Sequence, residues 1–186
     1  LSEYDAAFAY AVYDGKIRDL IHMFKYGGVR ELAQPLGRMI IAGLPLGIPF
    51  DAIVPMPMHW LRQWLRGYNQ AELLARAVAH HTGLPLLNAL RRTRAVAPQA
   101  GLTRAQRRVN ARGSFACRQP QAVKGKQILL VDDVLTTGAT ARAAAAALKK
   151  AGAARVTVLA LARADRRQLA GGWSGGTSYT IALGAR

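Results

Sequence analysis

Hydrophobic and polar positions along this chain change period several times, and each change predicts an element. Ala6 to Tyr13 alternates as a strand does, and Asp14-Gly15 is a turn signal. From Lys16 to Tyr26 the apolar residues Ile17, Leu20, Ile21 and Phe24 fall at helical spacing, and Gly27-Gly28 ends the run. Arg30 to Ala42 reads as a second helix, with Pro35 confined to its first turn because proline lacks an amide donor. Ala52-Ile53-Val54 is a short buried strand ended by Pro55 and Pro57. Asn69 is an N-cap with Glu72 placed for a capping box. Ala71, Leu74, Ala75 and Val78 form one apolar face behind it, and Gly83 stops the helix.

The second half is read in the same way. Leu86 to Leu90 is a candidate strand, and the basic Arg91 to Gly113 is a long loop with one helical turn. Gln127 to Val131 is a fully apolar strand. An alanine-rich helix follows, ending at Lys149-Lys150 with Gly152 as its cap. Val156 to Ala162 is another buried strand, and Tyr179 to Leu183 a last edge strand beyond a Gly-rich stretch. Strand, helix and strand in this order predict an α/β fold with a mostly parallel sheet flanked by helices. The 186 residues suit one domain: an N-terminal part (1–50), a core (51–165) and a Gly-rich C-terminal segment (166–186).

Charge changes this picture. There are 26 Lys and Arg against 10 Asp and Glu, a net +16, and no acid stands between Glu72 and Asp132. Such a field attracts polyanions, either phosphorylated small molecules or nucleic acid, and a solvated basic face is the plainer alternative. No apolar run is long enough for a membrane span, and no signal peptide is visible. Cys117 is the only cysteine, so no internal disulfide can form and a cytoplasmic location is expected. The histidines, His22, His59 and the His80-His81 pair, do not have metal-site spacing, so no zinc site is expected in this chain. The chain starts at Leu1 rather than Met, and an upstream segment is expected to precede it.

The chemistry concentrates after the Val131 strand. Asp132 and Asp133 stand where ligands bind in open α/β sheets, at the carboxyl end of a strand. Thr136, Thr137, Gly138, Ala139 and Thr140 lead into a helix. Small residues let the backbone close on a phosphate, and the exposed amides of a helix start favour an anion. One side of this loop therefore suits a phosphate, and the other offers carboxylates to vicinal ribose hydroxyls. A Walker loop would need a lysine here, and Asp-x-Asp-x-Thr would need an acid where Val134 stands.

The run Ile128 to Thr140, Ile-Leu-Leu-Val-Asp-Asp-Val-Leu-Thr-Thr-Gly-Ala-Thr, resembles the phosphoribosyl pyrophosphate (PRPP) signature of type I phosphoribosyltransferases. Further segments resemble the ComF family of competence-associated proteins with that fold. They are Phe24-Lys25-Tyr26-Gly27, Val54-Pro55-Met56-Pro57-Met58-His59, Arg66-Gly67-Tyr68-Asn69-Gln70, and Gln99 with Leu102, Arg108, Asn110 and Phe115.

The resemblance implies a type I phosphoribosyltransferase fold with a mobile hood over residues 91–113. It implies that Asp132 and Asp133 hold the ribose hydroxyls and residues 136–140 the 5′-phosphate. Mg²⁺ would ride on PRPP, with Asp132 and Asp133 as its candidate protein ligands. Pro55, Met56 and Pro57 would form the pyrophosphate loop. Lys25, Tyr26, Arg66, Arg104 and Arg107 become candidates for pyrophosphate or acceptor, and Arg108 joins the acid pair as a catalytic candidate. No acid stands at Thr136, where purine-type members often carry one, and this leaves the acceptor base open. The four-cysteine zinc module with which members usually begin is absent, as expected if an upstream segment is missing.

Two functions fit. One is transfer of phosphoribose between PRPP, or a nucleoside monophosphate, and a nitrogen acceptor, linked to DNA uptake. The other is a non-catalytic module that binds single-stranded DNA or senses a nucleotide alongside DNA-uptake proteins.

Overall fold

The computed structural model describes residues 3–58, 64, 67–93 and 114–164. The expected edge strand at 179–183 and most of the hood lie outside them. Four parallel strands form the central sheet in the order β1 (Ala6–Val12), β6 (Arg155–Arg163), β5 (Gln127–Leu135), β2 (Ala52–Pro55). Leu86 extends the sheet past β2 through a parallel bridge to Ile53. The expected strand at 86–90 is therefore reduced to this bridge. The strand that does form there, β3 (Leu90–Arg92), pairs antiparallel with β4 (Phe115–Cys117).

Both faces of the sheet are covered. α1 (Gly15–Tyr26), α2 (Ala33–Ala42) and α3 (Gln70–Thr82) bury Phe24, Leu36 and Leu74 together with Leu129 and Val131 of β5. On the other face α5 (Ala139–Lys150) buries Ala141, Ala144 and Leu148 with Ile128 and Leu130, and the β3–β4 ribbon joins that cluster through Leu90 and Phe115. Successive residues of β5 thus serve opposite faces, as the pleat requires. A single turn, α4 (Pro120–Val123), precedes β5.

Local chemistry explains most boundaries. Asp14 caps α1 by accepting from the Gly15 amide at 2.7 Å, and Asn69 caps α3 by accepting from Ala71 N at 3.1 Å. Gly83 ends α3 in the left-handed region, φ +71°. Glu72, however, pairs with Arg76 at 2.7 Å one turn on, so no reciprocal capping box is seen among the described residues. The expected helix 30–42 divides into a 3-10 turn (Arg30–Leu32) and α2. Pro35 then falls in the first turn of α2, where its missing donor costs nothing.

Candidate active site

The chain leaves β2 and β5 in opposite directions. After β2 it crosses through α3 to Leu86 on the outer side, and after β5 it crosses through α5 to β6 on the other. The crevice between the carboxyl ends of β2 and β5 is therefore the topological switch point, where sheets of this kind bind ligands. Asp132 and Asp133 stand there.

The strand does not stop at Val131. Pairing with β6 carries β5 on to Leu135, so the acids lie within the strand and not in the loop after it. The consequence is geometric. Asp133 follows the parity of Leu129 and Val131 and meets Lys25 of α1, with Nζ to Oδ2 at 3.0 Å and both side chains mostly buried. Asp132 is half-buried and its Oδ1 accepts from the Asp133 amide at 2.9 Å. Its carboxyl is pushed up to about 8, by burial first and then by the adjacent Asp133 carboxylate; the Asp133 amide, then Lys25 and Arg92, pull the other way without cancelling the rise. Arg92, on β3, lies over the Phe115 ring at 5.4 Å from its centroid. The two acids are thus held in different environments, which the notion of a single acidic pair did not foresee.

Beyond Leu135 the chain turns through Thr136 and Thr137, both exposed, to Gly138, the N-cap of α5. Gly138 has φ +73°, and a Cβ there would come 3.1 Å from Tyr4 Oη and 3.2 Å from Arg142 Nη1. Arg142 folds back and donates to the Thr137 carbonyl at 3.1 Å. The first amides of α5 have no helical acceptor, and Ala139 N–H makes only a long 3.4 Å contact with Thr137 Oγ1. Helix-start amides of this kind are donors that suit an anion.

The remaining candidates separate. Lys25 turns inward to Asp133, whereas its neighbour Tyr26 is exposed, with its ring 4.7 Å from that of His22. Met56 N–H donates to Val131 O at 2.8 Å and Met56 O accepts from Asn69 Nδ2 at 3.1 Å. Pro55 and Pro57 have no amide hydrogen, so the 55–57 segment offers an anion no free backbone donor. Arg66, Arg104, Arg107 and Arg108 lie outside the described residues.

Tyr68 and Gln70 take roles that the sequence reading did not assign. Tyr68 Oη and Gln70 Nε2 both donate to the Phe24 carbonyl, at 2.7 and 3.1 Å. A signal existed for Gln70: it opens the arc 70, 71, 74, 75, 78 that α3 buries, a polar residue in an apolar face.

Residues 69–175, more than half of the chain, match the phosphoribosyl transferase domain. Competence protein F of Haemophilus influenzae is 33% identical over 154 residues, covering 78% of this chain and 67% of that protein. The chain belongs to the ComF family. DNA utilization protein YhgH of Escherichia coli K12 is 34% identical over 161 residues, covering 82% of this chain and 70% of its own. This ComF-family chain thus spans about two thirds of the length of those relatives. Among solved structures, glutamine PRPP amidotransferase from B. subtilis, complexed with ADP and GMP, superimposes with a TM-score of 0.46 at 24% identity, over 68% of this chain and 25% of that one. Among the described residues no helix is long and apolar enough to cross a membrane.

Proposed function

We propose that this ComF-family chain binds PRPP with Mg²⁺ at the β2–β5 crevice and transfers phosphoribose to or from a nitrogen acceptor in the service of DNA uptake or utilization. The carrying observation is the juxtaposition, along one strand and its following turn, of two carboxylates and a helix-start anion cradle. The 5′-phosphate takes the amides of residues 137–140 and the hydroxyls of Thr136, Thr137 and Thr140. The ribose hydroxyls donate to Asp132 and Asp133. Bound there, Mg²⁺ would neutralise pyrophosphate charge, and the oxygen donors of the acid pair fit a hard cation that keeps few protein ligands.

The chain's own contribution is orientation and charge. The sugar is held between two fixed points while the anomeric carbon faces the acceptor, which turns a bimolecular encounter into a positioned one. Residues 55–57 supply no free backbone donor, so side chains are the candidates to meet pyrophosphate. Arg66, Arg104, Arg107 and Arg108 are the candidates, since the guanidinium fork matches phosphate oxygens. Arg108 is assigned to the departing pyrophosphate. The exposed Tyr26 ring is a candidate face for the acceptor base.

Calorimetry with PRPP tests this reading. Wild type is expected to bind in the micromolar range only with Mg²⁺, and Asp132→Asn/Asp133→Asn to lose the heat. A folded wild type that releases no heat would overturn the assignment.

A second reading rests on the charge of +16 and the acid-free interval from Glu72 to Asp132: the chain binds single-stranded DNA without turnover. Salt separates the two. Backbone binding weakens steeply between 50 and 200 mM salt, by factors on the order of a thousand, whereas PRPP binding in a preformed loop weakens far less.

A further inference from the structure

Three short segments that carry the family resemblance are tied to one another and to β5. Asn69 ties the Met56 carbonyl, and Met56 N–H is tied to Val131 of β5. On either side of Asn69, Tyr68 and Gln70 converge on one carbonyl, that of Phe24. The next residue is Lys25, whose ammonium ends 3.0 Å from Asp133 Oδ2. A lysine in the last turn of a helix would ordinarily answer the orphan carbonyls of that turn. Here the Phe24 carbonyl is already answered from outside the helix. Phe24 O takes two side-chain donors, and Met23 O takes the Gly27 amide at 2.8 Å. Lys25 is left for the strand.

We infer that Tyr68 and Gln70 are positioning residues that fix the end of α1, so that Lys25 holds Asp133 in the orientation in which it receives the ribose. This deepens the PRPP reading and rests on it. The argument is one of charge as well as geometry. An unanswered Asp133 carboxylate at the mouth of a site for a polyanion would repel its own ligand. An ammonium locked to one oxygen of Asp133 removes that repulsion and leaves the other oxygen, Oδ1, for a sugar hydroxyl. Lys25 therefore acts through Asp133 and not on the pyrophosphate or the acceptor, the roles for which the resemblance makes it a candidate. Gln70, fully buried, and Tyr68, part-buried, are the rigid side of this joint.

Comparing two ligands tests it. Mg²⁺·PRPP is titrated calorimetrically into wild type, Lys25→Met, Lys25→Arg and Tyr68→Phe, and ribose 5-phosphate, which lacks pyrophosphate, is titrated in competition. Lys25→Met is expected to weaken both ligands by a similar factor, about tenfold or more, because a mostly buried carboxylate loses its partner. Lys25→Arg should recover most of that loss. Tyr68→Phe should weaken both by about threefold, the cost of one hydrogen bond, with the melting temperature checked to show that the fold is intact. Loss confined to PRPP would mean direct pyrophosphate contact and would overturn the inference, as would affinities within about twofold of wild type. The Lys25→Arg and Tyr68→Phe variants decide the matter should Lys25→Met fail to fold. A wild type that binds neither ligand removes the PRPP reading itself, and the inference with it.

Discussion

The two ends of the sheet each join an aspartate to a lysine, yet they do opposite things with the pair. At the amino end, Asp5 accepts from the Val156 amide at 2.7 Å and from Lys149 at 2.8 Å, and Lys149 also reaches the Ala154 carbonyl at 2.8 Å. Burial alone would raise the Asp5 carboxyl, but Lys149 and the Val156 amide outweigh it and hold the group below its ordinary value. At the carboxyl end, Lys25 answers Asp133, while the adjacent Asp132 is pushed up to about 8 by burial and by its neighbour. One end spends its charges on closing the strand start and the α5–β6 turn. The other leaves a carboxyl that is costly to ionise until something arrives to stabilise it. A fully answered acid stabilises the fold; an incompletely answered one at a switch point is a candidate binding group.

The contrast can be broken most directly at the site. Asp132→Asn/Asp133→Asn is expected to weaken PRPP by at least about a hundredfold in calorimetry, as both carboxyl partners of the sugar hydroxyls disappear. Asp5→Asn should leave the same titration within about twofold of wild type, since an answered pair at the far end shares no partner with the ligand. Equal losses from both would show that the two ends are not functionally distinct.

The next effect is on the pH dependence of unfolding. Folded Asp132 keeps its proton up to about pH 8, whereas the unfolded chain releases it near 3.8. In that window the folded state binds more protons, so stability falls as pH rises. Denaturant melts across the window should show this slope in wild type and a flatter one in Asp132→Asn. Asp5 has the reverse sign. Its folded value lies below 3.8, so its contribution is present above that pH and is lost on acidification through the lowered value.

Smaller effects sharpen the contrast. Asp5→Asn should cost about 1 kcal/mol in urea unfolding at neutral pH, because one hydrogen-bonded charge is replaced by a neutral side chain. Glu72→Gln removes only the exposed pair with Arg76, and should cost about 0.3–0.5 kcal/mol with no change in ligand affinity.

Much of this was legible in the chain itself. The helix ending at Gly83, the apolar β5 core and the alanine-rich α5 follow from periodicity and capping, which are local. The small-residue turn into α5 was legible for the same reason: residues 136–140 between a strand and a helix set their own backbone. The β3–β4 ribbon was not, because Leu90–Arg92 and Phe115–Cys117 are too short to announce themselves and are made strands only by each other. Nor was the inward turn of Lys25 to Asp133, since a lysine in the last turn of a helix reads from the chain alone as facing that helix's own carbonyls.

By itself the sequence determined that a strand, two adjacent acids, a small-residue turn and a helix follow one another, and that the fold is α/β. It could not determine that β5 runs past both acids. That depends on β6, whose pairing continues from Gln127↔Arg155 to Leu135↔Arg163 and imposes the pleat on Asp132 and Asp133. Alternation then sends one acid toward α1 and its lysine, and leaves the other half-buried and costly to ionise. Local preference sets which residues stand together in the chain, whereas the register of a neighbouring strand decides which way each side chain faces.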